Sequence, residues 1–289
     1  MSQLRQVELR RESIGALRDI VSSMRSLAGA YLQRAQAALE SVRAYEKMVD
    51  AGISLALGPV ASSFEQIDPW SRPCLLVFTS DQGLCGPFVE ALGKAAIQGI
   101  KERGIQEKAR LLVVGQQGVS IFKRMGLQGE LISAAPNSLE GAMSCIPPLT
   151  ETISDLYERG EVSSVQLLYN VFEGVGRFSS RWRQLLPPDI EALRNIEEGS
   201  LDEPLAHIPF YDMLGVLLEE LLFIGLHRAM VESMASENGS RMRAMDAATH
   251  NCEDMLEDLT RIYMQLRQEE ITGELLDVAS GAEALRESG

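Results

Sequence analysis

The chain has 289 residues, 45% hydrophobic and 24% charged, the balance of a folded protein with length for about two domains. Its formal charge of −14 argues against a non-specific nucleic-acid binder and against docking on anionic lipid, because both need a basic face. No window approaches the roughly eighteen uninterrupted apolar residues of a membrane span, so no direct membrane insertion is expected. The start, MSQLRQVELRRESIG, shows no apolar run behind its charges, so no secretory leader is expected either. Four cysteines without CxxC spacing suit a reducing compartment.

The first segment predicts one long helix over residues 1–58, ending near Gly58-Pro59. Ile14, Leu17, Val21, Met24, Ala28, Tyr31, Ala35, Ala38, Val42, Tyr45 and Val49 alternate steps of three and four. That is the spacing of a coiled-coil seam. Residues 70–190 have a different pattern. Cys74–Thr79 is a continuously apolar run, as expected of a buried strand, followed by the Gly-containing turn Ser80–Gly86 and a helix to about Arg103. Leu111–Val114 repeats the pattern, with a helix ending at Gly126. Glu130–Ile132 is a weaker strand, and 138–160 reads as a helix kinked at Pro147-Pro148. Val165–Phe172 is the best strand, and Trp182–Leu186 reads as a last one, closed by Pro187-Pro188. This alternation predicts an open, mostly parallel α/β sheet. Residues 189–208 read as a loose, acidic return.

From Pro209 nothing interrupts a helix to the end of the chain, a domain over 209–289. Met245, Ala248, Cys252, Met255, Leu259, Ile262 and Leu266 form its seam, continued upstream by Leu217, Ile224, Val231 and Met234 with Glu220 and His227 as polar interruptions. Ser236–Ser240 breaks it, placing Asn238 and Arg241 where apolar residues belong; local solvation and a polar contact with a partner are the two readings. Residues 1–60 carry a balance of +2, whereas 211–289 hold six arginines, no lysine and sixteen acidic residues. The two terminal helices are therefore expected to pair as a long antiparallel coiled coil, with the α/β domain inserted between them.

Signals for chemistry are thin. The turn Ser80–Gly86 lies where an α/β sheet places a ligand, yet it has neither GxGxxG nor a Lys-bearing phosphate loop, and a structural turn is the alternative. His207, His227 and His250 are scattered, with no HxxxH or HExxH, and His250 and Cys252 point to different sides of their helix. Glu253, Asp254, Glu257 and Asp258 read as a solvated face. Neither a catalytic site nor a cofactor or metal site is expected.

Four stretches carry a family resemblance. SENGSRMRAMDAATHNCEDMLEDLT at 236–260 and LRQEEITGELLDVASGAEAL at 266–285 look like SENAARMRAMxxATxNAxxMIxxL and ARQAxITxEIxEIVxGAxAL. TSDQGLCG at 79–86 looks like TSDRGLCGG, and IVSSMRSLAGAYLQRAQ at 20–36 aligns without gaps on ITKAMKMVAASKLRRAQ. The chain thus resembles the gamma subunit of rotary F-type ATP synthases over nearly its whole length.

That resemblance implies a central-stalk rotor with a Rossmann-like central domain, coupling proton or sodium flow to ATP synthesis or hydrolysis without an active site of its own. It implies alpha and beta subunits, the epsilon subunit and the c-ring as partners. It also implies a peripheral place on the cytoplasmic face of the inner (plasma) membrane. Carried over by position, Arg241, Gln268, Thr272 and Glu274 match residues that hydrogen-bond loops of the ring, and Met24 and Arg25 match the part of the first helix that faces the beta subunits. The family's lysines are Ser22, Arg25 and Tyr31 here, and Pro87-Phe88 follow Gly86; these departures point to a divergent, alternate-type copy. The rival reading is a nucleotide-binding α/β enzyme with a coiled-coil dimerisation arm.

Overall fold

The computed structural model describes residues 3–57, 68–190, 193 and 210–287. The expected end at Gly58-Pro59 and most of the return 189–208 lie outside these residues. Helix α1 spans Gln3–Leu57 and helix α5 spans Phe210–Glu287. Between them come β1 (Pro73–Phe78), α2 (Phe88–Glu102), β2 (Arg110–Val114), α3 (Gln116–Arg124), β3 (Glu130–Ser133), α4 (Leu139–Glu158), β4 (Ser164–Gly174) and β5 (Arg177–Leu186). No helix among the described residues is long and apolar enough to cross a membrane.

The five strands form one sheet in the order β3-β2-β1-β4-β5. The first four run parallel and β5 runs antiparallel to β4. Strand β5 starts at Arg177, five residues before the expected Trp182, because its alternating half-buried and exposed side chains lack the continuous apolar signal of the inner strands. Helix α4 runs through Pro147-Pro148 as one element, burying Ala142, Ile146, Leu149 and Ile153. Both faces of the sheet are covered. Helices α2 and α3 seal one through Phe88, Leu92, Ala96 and Phe122, packed on Leu75, Val77 and Val113. Helices α4 and α5 seal the other, with Ile146 and Ile153 beside Leu222, Leu226, Met230 and Met234 on Leu76, Phe78 and Leu167.

The chain divides into two compact units, residues 1–27 with 244–289 and residues 28–243. In the larger one, α1 and α5 meet through Val42, Val49, Ile53, Leu221 and Ile224, and through Leu32, Ala35, Leu39, Val231 and Ala235. In the smaller one, Arg25 of α1 donates to Asp246 of α5 at 2.7 Å, and the Arg11 guanidinium lies 4.7 Å from the Tyr263 ring centre. Partner numbers fall along α5 as they rise along α1, so the contacting stretches are antiparallel.

Half of the expected seam is corrected. Val21, Ala28, Ala35, Val42 and Val49 are buried as read, but the rows between them are Leu32, Leu39, Glu46 and Ile53, with Arg18 and Arg25 half-buried in the same phase. Tyr45 and Leu17 are exposed instead. On α5, Met245, Thr249 and Cys252 are buried and Leu256 and Tyr263 half-buried, while Met255 and Ile262 face outward. Apolarity alone favours 17, 24, 31 and 45 over a row containing arginines and a glutamate. The observed row is possible because each of those charges finds an opposite charge or an aromatic face.

Candidate functional surfaces

In a sheet ordered 3-2-1-4, the chain leaves β1 toward β2 and returns from β3 to β4 on the other side. The C-terminal ends of β1 and β4 therefore flank the switch point where such sheets hold ligands. Here α5 occupies that place. Ser233 Oγ donates to the Phe78 carbonyl at the end of β1 (3.0 Å), Ser236 Oγ to the Asn170 carbonyl of β4 (2.9 Å) and Ser240 Oγ to the Cys85 carbonyl of the following turn (2.7 Å). Spacings of three and four put these hydroxyls on one side of the helix. Gly239 lets the backbone approach, since a Cβ there would come 2.9 Å from the Phe172 ring.

The turn Thr79–Gly86 is held from several directions. Glu237 takes Arg241 Nη2 at 2.5 Å and lies 2.6 Å from Ser80 Oγ. Arg241 also reaches the Gln82 carbonyl at 3.4 Å and Asn238 Oδ1 at 3.3 Å, and Asp81 accepts from the Gln116 amide at 2.7 Å. Burial pushes the Glu237 carboxyl above its ordinary pKa, against the pull of Arg241 and Ser80. Gly118 packs on Thr79 so closely that a Cβ would sit 2.2 Å from its hydroxyl. What remains of the crevice is a void of about 10 Å³ lined by Phe78, Thr79, Val114, Met230 and Glu237, room for no more than a water. The polar break at 236–241 thus turns inward, with its two serine hydroxyls bonded to this chain's own carbonyls and Glu237 to Ser80 and Arg241.

The sequence model of the ATP synthase family matches residues 3–285. An ATP synthase gamma chain from Trichlorobacter lovleyi is 31% identical over 294 residues, covering 99% of this chain and 100% of that one. One from Bacteroides fragilis is 29% identical, covering 98% of this chain and 100% of the relative. The chain belongs to the ATP synthase gamma-chain family. Its fold is similar to that of a chain in the Euglena gracilis mitochondrial ATP synthase rotor, with a TM-score of 0.60 at 12% identity over 93% of this chain and 98% of that one. A chain in the Tetrahymena thermophila central stalk and c-ring gives a TM-score of 0.57 at 20% identity over 79% and 99%.

On this gamma-family chain the six expected contact residues fall into two groups. Met24 and Arg25 are neighbours on α1, half-buried, with Arg25 committed to Asp246. Gln268, Thr272 and Glu274 are exposed on α5, and the Thr272 hydroxyl donates to the Gln268 carbonyl at 2.8 Å. Arg241 belongs to the other unit and is only 8% exposed, bound to Glu237 as described.

Sequence reasoning missed a second polar cluster. Glu46, 3% exposed, is gripped by Arg183 of β5 and Arg228 of α5, and the buried Glu232 takes Arg43 at 2.5 Å. Asp50, one turn beyond Glu46, has its carboxyl pKa raised by burial first and by Glu46 second. The signal was present: Glu46 lies seven residues after Leu39 and seven before Ile53. A charge in that row announces a buried partner.

Proposed function

We infer that this chain is the central-stalk rotor of an ion-translocating ATP synthase, turning within a ring of alpha and beta subunits and standing on a c-ring, with an epsilon subunit beside the α/β domain. Membership of the gamma-chain family over residues 3–285 carries the inference. The antiparallel contacts of α1 and α5 support a coiled coil between residues 1–58 and 209–289, with residues 70–190 as the inserted domain. Such a shaft performs no bond chemistry. It couples the two motors because it makes different contacts with each catalytic conformation of the ring, so that its angle shifts their equilibria. Met24, Arg25, Gln268, Thr272 and Glu274 are placed to make such contacts, and Arg241 acts by shaping the Ser80–Gly86 turn. The complex sits peripherally, on the cytoplasmic face of the inner (plasma) membrane.

A nucleotide-binding enzyme is disfavoured by one observation: the sheet's ligand crevice is filled by Ser233, Ser236 and Glu237 of the same chain. Reconstitution tests the reading. The isolated chain should not hydrolyse ATP. Alpha and beta subunits in vesicles bearing the c-ring should pump ions on ATP addition only when this chain is included. ATP turnover by the purified chain, or pumping without it, would sink the rotor assignment.

A further inference from the structure

Three arginines stand where apolar side chains belong in the smaller unit. Arg11, Arg18 and Arg25 are seven residues apart and half-buried on the side of α1 that meets α5. Two of them have partners on α5. Arg25 Nη1 donates to Asp246 Oδ1 at 2.7 Å, and Arg11 stacks on the Tyr263 ring at 4.7 Å. Arg18 instead bonds Asp19 of its own helix at 2.7 Å.

The same two segments contain a second interface that is not used. Leu17, Met24, Met255 and Ile262 repeat at heptad spacing with Val21, Met245, Cys252 and Leu259, and turning a helix by about 100°, one residue, would bring that row inward. Apolar burial alone favours it. Instead Leu17, Met255 and Ile262 are exposed, and the row that faces inward on α5 contains Thr249, Leu256 and Tyr263. Apolar contacts have no direction and tolerate either phase. A stacked guanidinium and an oriented ion pair tolerate only one, as a polar residue in a seam does when it specifies register at some loss of stability.

We propose that Arg11 and Arg25 are positioning residues that select the rotational phase of this helix pair and hold Leu17, Met255 and Ile262 outward. The proposal rests on the pairing of α1 and α5 inferred above. Cysteines placed singly at Met255→Cys and Leu256→Cys in the full chain report the phase by maleimide labelling resolved at the peptide level. With the arginines intact, position 255 should react at least about tenfold faster than position 256. In the Arg11→Gln, Arg25→Gln variant the ratio should fall toward one. Arg25→Asp alone should lower it, and adding Asp246→Arg should restore it, a recovery that general loss of packing would not produce.

An unchanged ratio in the double glutamine variant overturns the proposal while leaving the helix pair standing. Labelling of both sites at the denatured rate in that variant also overturns it, since the arginines would then hold the pair together rather than choose its phase. If both sites react at the denatured rate with the arginines present, the pairing itself is wrong.

Discussion

Glu46 offers the sharpest test of how the larger unit is held. Its carboxylate, 3% exposed, faces Arg183 and Arg228, which keep 24% and 22% of their side-chain surface in solvent. Removing one member of a fully buried ion pair typically costs about 3–5 kcal/mol, because the partner charge stays desolvated. Partial hydration of both arginines lowers that figure, and about 2–3 kcal/mol is expected for Glu46→Leu. Urea unfolding followed by circular dichroism should move the midpoint down by about 1 M, given a slope near 3 kcal/mol per molar. Replacing all three charges, Glu46→Leu with Arg183→Met and Arg228→Met, should recover most of the loss, since apolar residues of similar volume often match a buried ion cluster. Asp50, half-buried and one turn away, is the candidate substitute anion; Asp50→Asn should have little effect alone and deepen the defect of Glu46→Leu. A midpoint shift below about 0.2 M for Glu46→Leu would show that the arginines do not depend on Glu46.

Other expectations follow from the crevice and the exposed end of α5. Glu237 has a folded-state pKa raised above its usual 4.5, so the stability it contributes is complete below that value and is lost as pH rises through the folded pKa. The stability difference between the wild type and Glu237→Gln should therefore change steadily above about pH 4.5, and a difference flat from about pH 4 to 8 would refute the assignment. Gly239→Val should destabilise by about 1–3 kcal/mol, because its Cβ would start 2.9 Å from Phe172; an unchanged melting temperature would refute the close packing of α5 on β4 at this point. Gln268→Ala and Thr272→Ala, on an exposed face, should leave stability within about 0.5 kcal/mol and lower ATP-driven ion pumping by the reconstituted complex. Normal pumping in both would remove that face from the contact surface.

The inner strands were legible because a strand buried on both faces has to be continuously apolar, as Cys74–Phe78 and Leu111–Val114 are. Strand β5 was only partly legible, since one edge strand with alternating burial looks like ordinary surface until its pairing with β4 is known. Both long helices could be read from the absence of proline and from their heptads, yet the phase could not. A residue such as Arg25 or Glu46 enters a seam on the strength of a partner distant in sequence, and although the heptad spacing of Glu46 hints at burial, nothing local names the partner that permits it. The polar run 236–241 failed for the same reason. Its two hydroxyls are satisfied by carbonyls at Asn170 and Cys85, and no window of sequence contains both halves of those bonds.

Those serine contacts and the Glu46 cluster also explain why α5 is polar where it is most enclosed. Between Leu221 and Ser240 the helix is buried on nearly every side, where a wholly apolar surface would give the most burial. An apolar cylinder against an apolar sheet can rotate or slide with little penalty, because dispersion contacts are numerous and individually weak. Three hydroxyls spaced to meet three particular carbonyls can do neither without leaving buried donors and acceptors unpaired, each costing about 1–3 kcal/mol. Arg228, one turn before Glu232, adds a different side of the helix by reaching Glu46 on α1. In a rotor, where torque on α5 has to be carried by the sheet rather than dissipated in slippage, this directionality is what polar groups supply and greasy contacts do not.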